Sequence, residues 1–166
     1  MVELQPSKLV TRVRFPSLAP KNKRGIPFLI LRPCALYGSG DTHNSYGPNR
    51  FIRSAIEQKK ILLFGGGEEK RDHLFIKDLC RLLGLCLSYR SQGILNAASG
   101  KSVSFYDLAS LISRCLVQPI AIETSVRQSV VTHRHFDTTA VMKAFAFFQY
   151  TPLKDAVDEI LASMGT

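Results

Sequence analysis

Tryptophan is missing from these 166 residues, and the four cysteines include no CxxC pair. Cys34, Cys80, Cys86 and Cys115 each sit among apolar neighbours, so they read as reduced core thiols of a cytoplasmic protein rather than as disulfides or metal ligands. A chain of this length buries enough surface to hold one domain without staples. No run of about 18 apolar residues occurs and no apolar stretch of signal-peptide length opens the chain, so neither membrane insertion nor secretion is expected. Also absent is any GxGxxG or GxxGxxG, the turn whose backbone approaches a dinucleotide pyrophosphate. Repeats and low-complexity tracts are lacking too.

Acidic residues are scarce: 13 against 22 Lys and Arg give a formal charge of +9. Such an excess on one face would suggest nucleic acid, but its distribution speaks against this. Within residues 1–24, six cations (Lys8, Arg12, Arg14, Lys21, Lys23, Arg24) face the single anion Glu3, so more than half of the surplus lies ahead of Gly25. Residues 1–25 have no helical or strand period and are expected to form a basic, poorly ordered extension. Val13 to Pro20 reads like the translated 3′ end of a bacterial tRNA gene; an ordinary basic tail and a nucleic-acid-binding arm are the alternatives.

What is present is organised around Ile61 to Asp78. Four apolar residues stop at Gly65-Gly66-Gly67, charged residues and His73 follow, and a second apolar run ends at Asp78, placed to cap a helix. The pattern predicts a hairpin followed by a helix start, with Arg71 the strongest anion donor at its turn. Ile26 to Leu31 reads as a strand covered on both faces, as in a parallel sheet, and Tyr37 to Asp41 as the loop beyond it. Asn49 to Lys59 puts Phe51, Ile52, Ala55 and Ile56 on one helical face. Leu79 to Leu87 is apolar over most of its circumference and predicts a buried helix. Gly93 to Ala97 and Pro119 to Glu123 predict strands. Ser104 and Asp107 suggest a capping box before Leu108, and helices are expected near Thr138 to Phe147 and after Pro152.

Four pieces occur in order: Leu31-Arg32-Pro33 with Tyr37-Gly38-x-Gly40-Asp41; Ile61 to Gly67 with Arg71-Asp72; Ile76-x-Asp78; and Gly93 to Asn96 with Ser99-Gly100 and Val103-Ser104. Together they resemble the carboxyl half of the extended short-chain dehydrogenases/reductases, the NAD-dependent sugar epimerases and dehydratases, over about Ile26 to Met164. The resemblance implies an α/β fold: an incomplete Rossmann-like sheet remnant plus the small mixed α/β substrate-binding subdomain, within residues 26–166. It implies that Pro33, Cys34 and Tyr37 pass the nicotinamide end of NAD or NADP. It places Asn49, Arg50, Arg71, His73 and Arg134 around a nucleotide-sugar, with Arg71 on the diphosphate. Ser39 stands where the family commonly has proline. Asp78 also matches, and capping its own helix suffices to explain it.

The family's glycine-rich turn, its acidic ribose ligand and its Tyr-x-x-x-Lys pair have no counterpart. Tyr150 and Lys154 have the spacing, but Pro152 interrupts the turn that would align them. Without a proton carrier the chain alone is expected to be inactive and not to bind the cofactor by itself. The expectation is thus a truncated epimerase/dehydratase or one partner of a split enzyme, retaining the nucleotide-sugar-binding half. It would pair with the missing half or with itself through the uncovered strand. A non-enzymatic nucleotide-sugar-binding module is the alternative, followed by nucleic-acid binding through the basic terminus. His133 and His135, two apart, would share a face on a strand, but no Cys or third His stands near in sequence and Asp137 alone makes a poor third ligand, so no metal is expected.

Overall fold

The structure, a computed structural model, describes residues 25–165. Apart from Gly25, the expected basic extension and the nucleic-acid reading built on it lie outside the described residues. The elements in order are β1 (Leu29–Pro33), β2 (Ala35–Tyr37), α1 (Pro48–Gln58), β3 (Lys60–Phe64), β4 (Lys70–Phe75), α2 (Ile76–Ser88), β5 (Gly93–Ala97), β6 (Ser102–Ser104), α3 (Phe105–Cys115), β7 (Ala121–Ser125), α4 (Thr139–Ala144) and α5 (Leu153–Ser163). Three small sheets result. β1 runs parallel to β5, β3 runs parallel to β7, and β4 lies between a parallel β2 and an antiparallel β6.

Two apolar cores follow from the helical stripes. Phe51, Ile52 and Ala55 of α1, Leu108 and Ile112 of α3, and Val157 and Leu161 of α5 close over Ile61 and Leu63 of β3. Leu82 and Cys86 of α2 meet Leu95 of β5, Val141 of α4, and Phe145 and Phe148 in the second core. β4 is the wall between them: successive strand residues point to opposite faces, so Leu74 enters the second core and Phe75 the first.

Several expectations are corrected. The run Ile61 to Asp78 is not a hairpin, because β3 pairs with β7 while β4 pairs with β2 and β6. Gly65-Gly66-Gly67 instead turns the chain from one sheet to another, and Gly67 (φ 74°) lies so close to α3 that a Cβ there would stand 2.8 Å from the Tyr106 nitrogen. Helix α2 is covered on one face only. Leu82 and Cys86 are buried, while Leu83 and Leu87 are exposed, since α2 rests on one sheet with no layer beyond it among the described residues. Only Cys86 of the four thiols is buried, and Cys80 is exposed on the outer side of α2. The first strand begins at Leu29 and is half covered rather than enclosed. Strand β7 starts two residues later than expected, α4 is shorter than expected, and β2 and β6 are additions.

Asp78 does not cap its own helix. Phe75 occupies that position, and the Asp78 carboxylate accepts from the Thr151 backbone N–H (2.8 Å), the Thr151 hydroxyl (2.7 Å) and Arg81 (2.6 Å), tying α2 to the segment before α5. The capping expectation at Ser104 holds: its Oγ accepts from the Asp107 N–H at 2.9 Å and donates to the Asp107 carboxylate at 2.6 Å.

Asp72 is 1% exposed. Its Oδ1 accepts from the Ser99 N–H (3.0 Å) and hydroxyl (2.7 Å), and its Oδ2 accepts from the Gly100 N–H (2.7 Å), while the Cys34 thiol stands 3.6 Å from Oδ1. These bonds join β4 to the loop after β5 and to the junction of β1 and β2. Replacing Asp72 with Ala strands several buried donors, and chemical denaturation is expected to show a loss of about 3 kcal/mol, with a smaller loss for Asp72→Asn, which keeps one acceptor.

Candidate substrate-binding site

Arg71 and His73 are two apart on β4 and so share the face opposite Asp72. Both rest on Phe105 at the start of α3: the Arg71 guanidinium carbon is 5.9 Å and the His73 ring 6.0 Å from the Phe105 ring centre. Tyr46 continues this floor, 4.5 Å from Phe105 and stacked on Phe64 at 4.7 Å, and its hydroxyl accepts from the Phe64 N–H. Arg50, in the first turn of α1, lies 5.8 Å over the Tyr46 ring. Three of the expected substrate residues, Arg50, Arg71 and His73, therefore line one aromatic surface.

His73 is 7% exposed, and neither ring nitrogen has a partner. Burial pushes its pKa down to about 4; neighbouring Asp72 opposes the shift and Arg71 reinforces it. The ring is neutral at pH 7. Gly47, which heads α1, covers it: a Cβ there would lie 3.6 Å from His73 Cε1.

Arg134 belongs to the exposed segment 126–137, a strap without helix or strand. Its N–H donates to the Lys70 carbonyl at 3.0 Å, and the Ser102 hydroxyl donates to its carbonyl at 2.9 Å, so the strap runs beside the beginning of β4. Asn49 faces elsewhere. Its amide donates to the Gly38 carbonyl (3.0 Å) and Asp41 (2.7 Å) and accepts from the Gly38 N–H (3.3 Å), pinning the loop after β2. Arg53, which the sequence did not single out, donates to the carbonyls of Asp41 and His43, each at 2.8 Å, on the same loop.

Two further residues escaped notice in the sequence. Arg127 donates to the Phe64 carbonyl (2.7 Å) and Glu68 (2.8 Å) and lies 3.5 Å from Glu69, which is itself 3.6 Å from Arg71. Nothing in the aperiodic stretch around Arg127 signals this. His133 and His135 are 6.3 Å apart between ring centres, and His133 Nδ1 accepts from the Lys70 N–H at 3.2 Å. Among the described residues no group of three or more His, Cys, Asp or Glu is arranged to hold a metal, and no helix is long and apolar enough to cross a membrane.

The sequence model of the NAD dependent epimerase/dehydratase family matches residues 18–98. Among curated proteins, the dTDP-4-dehydro-6-deoxy-D-allose reductase of Streptomyces bikiniensis is 25% identical over 142 residues, covering 81% of this chain and 42% of the reductase. The UDP-N-acetylglucosamine 4-epimerase of Bacillus cereus superposes with a TM-score of 0.73 at 24% identity, over 86% of this chain and 47% of the epimerase. The UDP-N-acetylglucosamine 4-epimerase of Methanobrevibacter ruminantium M1, solved with UDP-N-acetylmuramic acid, gives 0.71 at 22% identity, over 86% and 48%. The chain is related to the NAD dependent epimerase/dehydratase family. It spans about half the length of the relatives it matches, and its α/β fold is the Rossmann-like architecture of these enzymes.

Of the residues expected along an epimerase cofactor, Tyr37 touches the aromatic floor from beneath, its ring centre 6.4 Å from that of His73. Pro33 is exposed, whereas Cys34 and Tyr37 turn inward. Burial, with Asp72 beside it, pushes the Cys34 thiol up to about 12, and burial likewise raises the Tyr37 phenol. The surface that this stretch presents, Leu36 with Gly38 to Asp41, borders a cavity of about 330 Å³. Neither inward group is set to exchange protons. The glycine turn of residues 65–67 does not suit a pyrophosphate, for Glu68 accepts the Gly66 N–H at 3.1 Å. Tyr150 and Lys154 form no pair: the phenol is buried without a partner, and Lys154 reaches Asp158 at 2.6 Å.

A folded His73 that resists protonation makes stability depend on pH. Between about pH 6.5 and 4 the unfolded chain binds a proton that the folded chain does not, so stability falls as pH falls through this window, by roughly 3 kcal/mol at its lower end. Denaturant melts at pH 7 and pH 4 are expected to show this loss, and His73→Phe should remove most of it.

Proposed function

We propose that residues 26–165 form the nucleotide-sugar-binding part of an NAD-dependent epimerase/dehydratase-type enzyme. The observation that carries this reading is the convergence of Arg50, Arg71 and His73 on the surface of Phe105, Tyr46 and Phe64. A nucleotide diphosphate combines a flat base with a dianion. The exposed ring of Phe64, with partly covered Tyr46 stacked on it, offers a face for the first, and a planar guanidinium matches the phosphate oxygens of the second. Neutral His73, buried beside them, brings no competing charge, and Arg134, carried on the strap beside β4, adds a second cation. The known binding of a UDP-sugar by one structural neighbour supports the same ligand class.

In such an enzyme bound NAD would supply hydride transfer at the sugar carbon. The part of this chain is to bind and orient the nucleotide end while Pro33 and Leu36 offer a wall near the nicotinamide. Tyr150 and Lys154 are not set to move the proton, so turnover requires groups from another polypeptide or a longer one. The half-exposed apolar residues Phe28, just before β1, and Ile30 of β1, which pairs on one side with β5, favour packing of that further part or of a second copy there.

Calorimetric titration with UDP and UDP-N-acetylglucosamine, with no cofactor added, tests the reading. The chain should bind both. Arg71→Ala should weaken both about tenfold to a hundredfold, as expected for a charge-assisted contact. Equal affinity of the variant, or no binding by the parent chain, would overturn it.

A further inference from the structure

The guanidinium assigned to the diphosphate is already engaged within the chain. Arg71 Nη1 donates to the carbonyls of Lys70 (3.0 Å) and Thr132, and Nη2 donates to the Thr132 hydroxyl at 3.2 Å. Glu69 Oε2 lies 3.6 Å from the same Nη2. Glu69 also holds Thr132 itself, accepting its backbone N–H at 3.2 Å and its hydroxyl at 3.4 Å through Oε1. On its far side Glu69 faces Arg127 at 3.5 Å. One carboxylate thus sits between two arginines and fastens the strap residue that occupies the first of them.

A carboxylate presents two oxygens to a guanidinium in much the way a phosphate does. We infer that Glu69 is an internal stand-in for substrate phosphate: with Thr132 it latches the strap onto Arg71, and a nucleotide diphosphate displaces both when it binds. The inference rests on Arg71 being the diphosphate ligand. Displacement leaves Glu69 paired, because Arg127 stands ready to take it. Thr132 has no such reserve: its amide loses its acceptor, and the strap is released from β4 at that point. Ligand binding therefore works against the latch, and weakening the latch strengthens binding. Arg71 and Glu69 approach only to 3.6 Å, beyond hydrogen-bond reach, so their contact moves affinity a few-fold and no more, which makes it a reversible brake rather than a block.

The test titrates UDP into the parent chain, Glu69→Gln and Thr132→Ala, and follows hydrogen exchange of the Thr132 amide with and without saturating UDP. Glu69→Gln removes the charge while keeping the shape, and Thr132→Ala removes a contact to Arg71 without changing any charge. Both should bind UDP about two- to fivefold more tightly, and the Thr132 amide of the parent chain should exchange faster when UDP is bound. Weaker binding by either variant would make Glu69 or Thr132 a support for Arg71 and overturn the latch. Tightening by Glu69→Gln alone, with Thr132 exchange unchanged, would reduce the effect to general charge and also overturn it. Slower exchange on saturation overturns it whatever the variants do, including when they fail to fold. If the parent chain binds no UDP, the site assignment fails; if Arg71→Ala abolishes binding but neither latch variant tightens it, the latch alone fails.

Discussion

The buried carboxylate of Asp72 is the contact on which the arrangement depends. A carboxyl group so deep in a protein is tolerated only when its oxygens are fully used, and here they receive two backbone amides and a hydroxyl from Ser99 and Gly100. The consequence is geometric. The loop after β5 is drawn onto the middle of β4, and Gly100 packs against Thr138, where the strap gives way to α4. With Asp72 turned to one side of the strand, Arg71 and His73 must face the other. That the Asp72 carboxyl and the Arg71 guanidinium lie on opposite faces is therefore a property of strand geometry, and neither can be moved without the other.

The same alternation explains how one short strand serves two cores. Its polar first half carries the site and the carboxylate, and its apolar second half divides Leu74 from Phe75 between clusters. The aromatic floor belongs to this division. Phe105 is both a core residue of α3 and the surface under Arg71 and His73, so the site rests on packed rings rather than on loops.

Much of this was legible in the sequence, for identifiable reasons. The stripes of Phe51, Ile52 and Ala55, and of Ala156, Val157, Ile160 and Leu161, repeat at helical spacing and form the helices they predict. The Ser104 cap works through contacts three residues apart, which a sequence displays directly. Strand partnership is not local, and so the run through Gly65-Gly66-Gly67 suggested a hairpin where the strands part to different sheets. For Asp78 the nearer explanation, a cap, yielded to a partner 73 residues away at Thr151. Helix α2 has an apolar circumference, but composition does not say which side is covered. Of the candidate site, Arg71 lay in an ordered motif, while Arg50 and His73 were expected from the stretches that flank it. Arg127 and Glu69 could not, because their significance comes from a strap that has no periodicity.

The pairing pattern also bears on how the chain reaches its structure. Every pairing that involves β1 or β7 joins residues about sixty apart in sequence: Leu29 with Gly93, Lys60 with Ala121. Parallel strands cannot zip from a tight turn, so each such pair requires a long loop to be closed before any contact repays the lost chain entropy. Helices α1, α3 and α5 can form early from their own stripes, but they have no sheet to settle on until those loops close. A nascent chain that has not yet emerged as far as β7 therefore holds β3 without its partner.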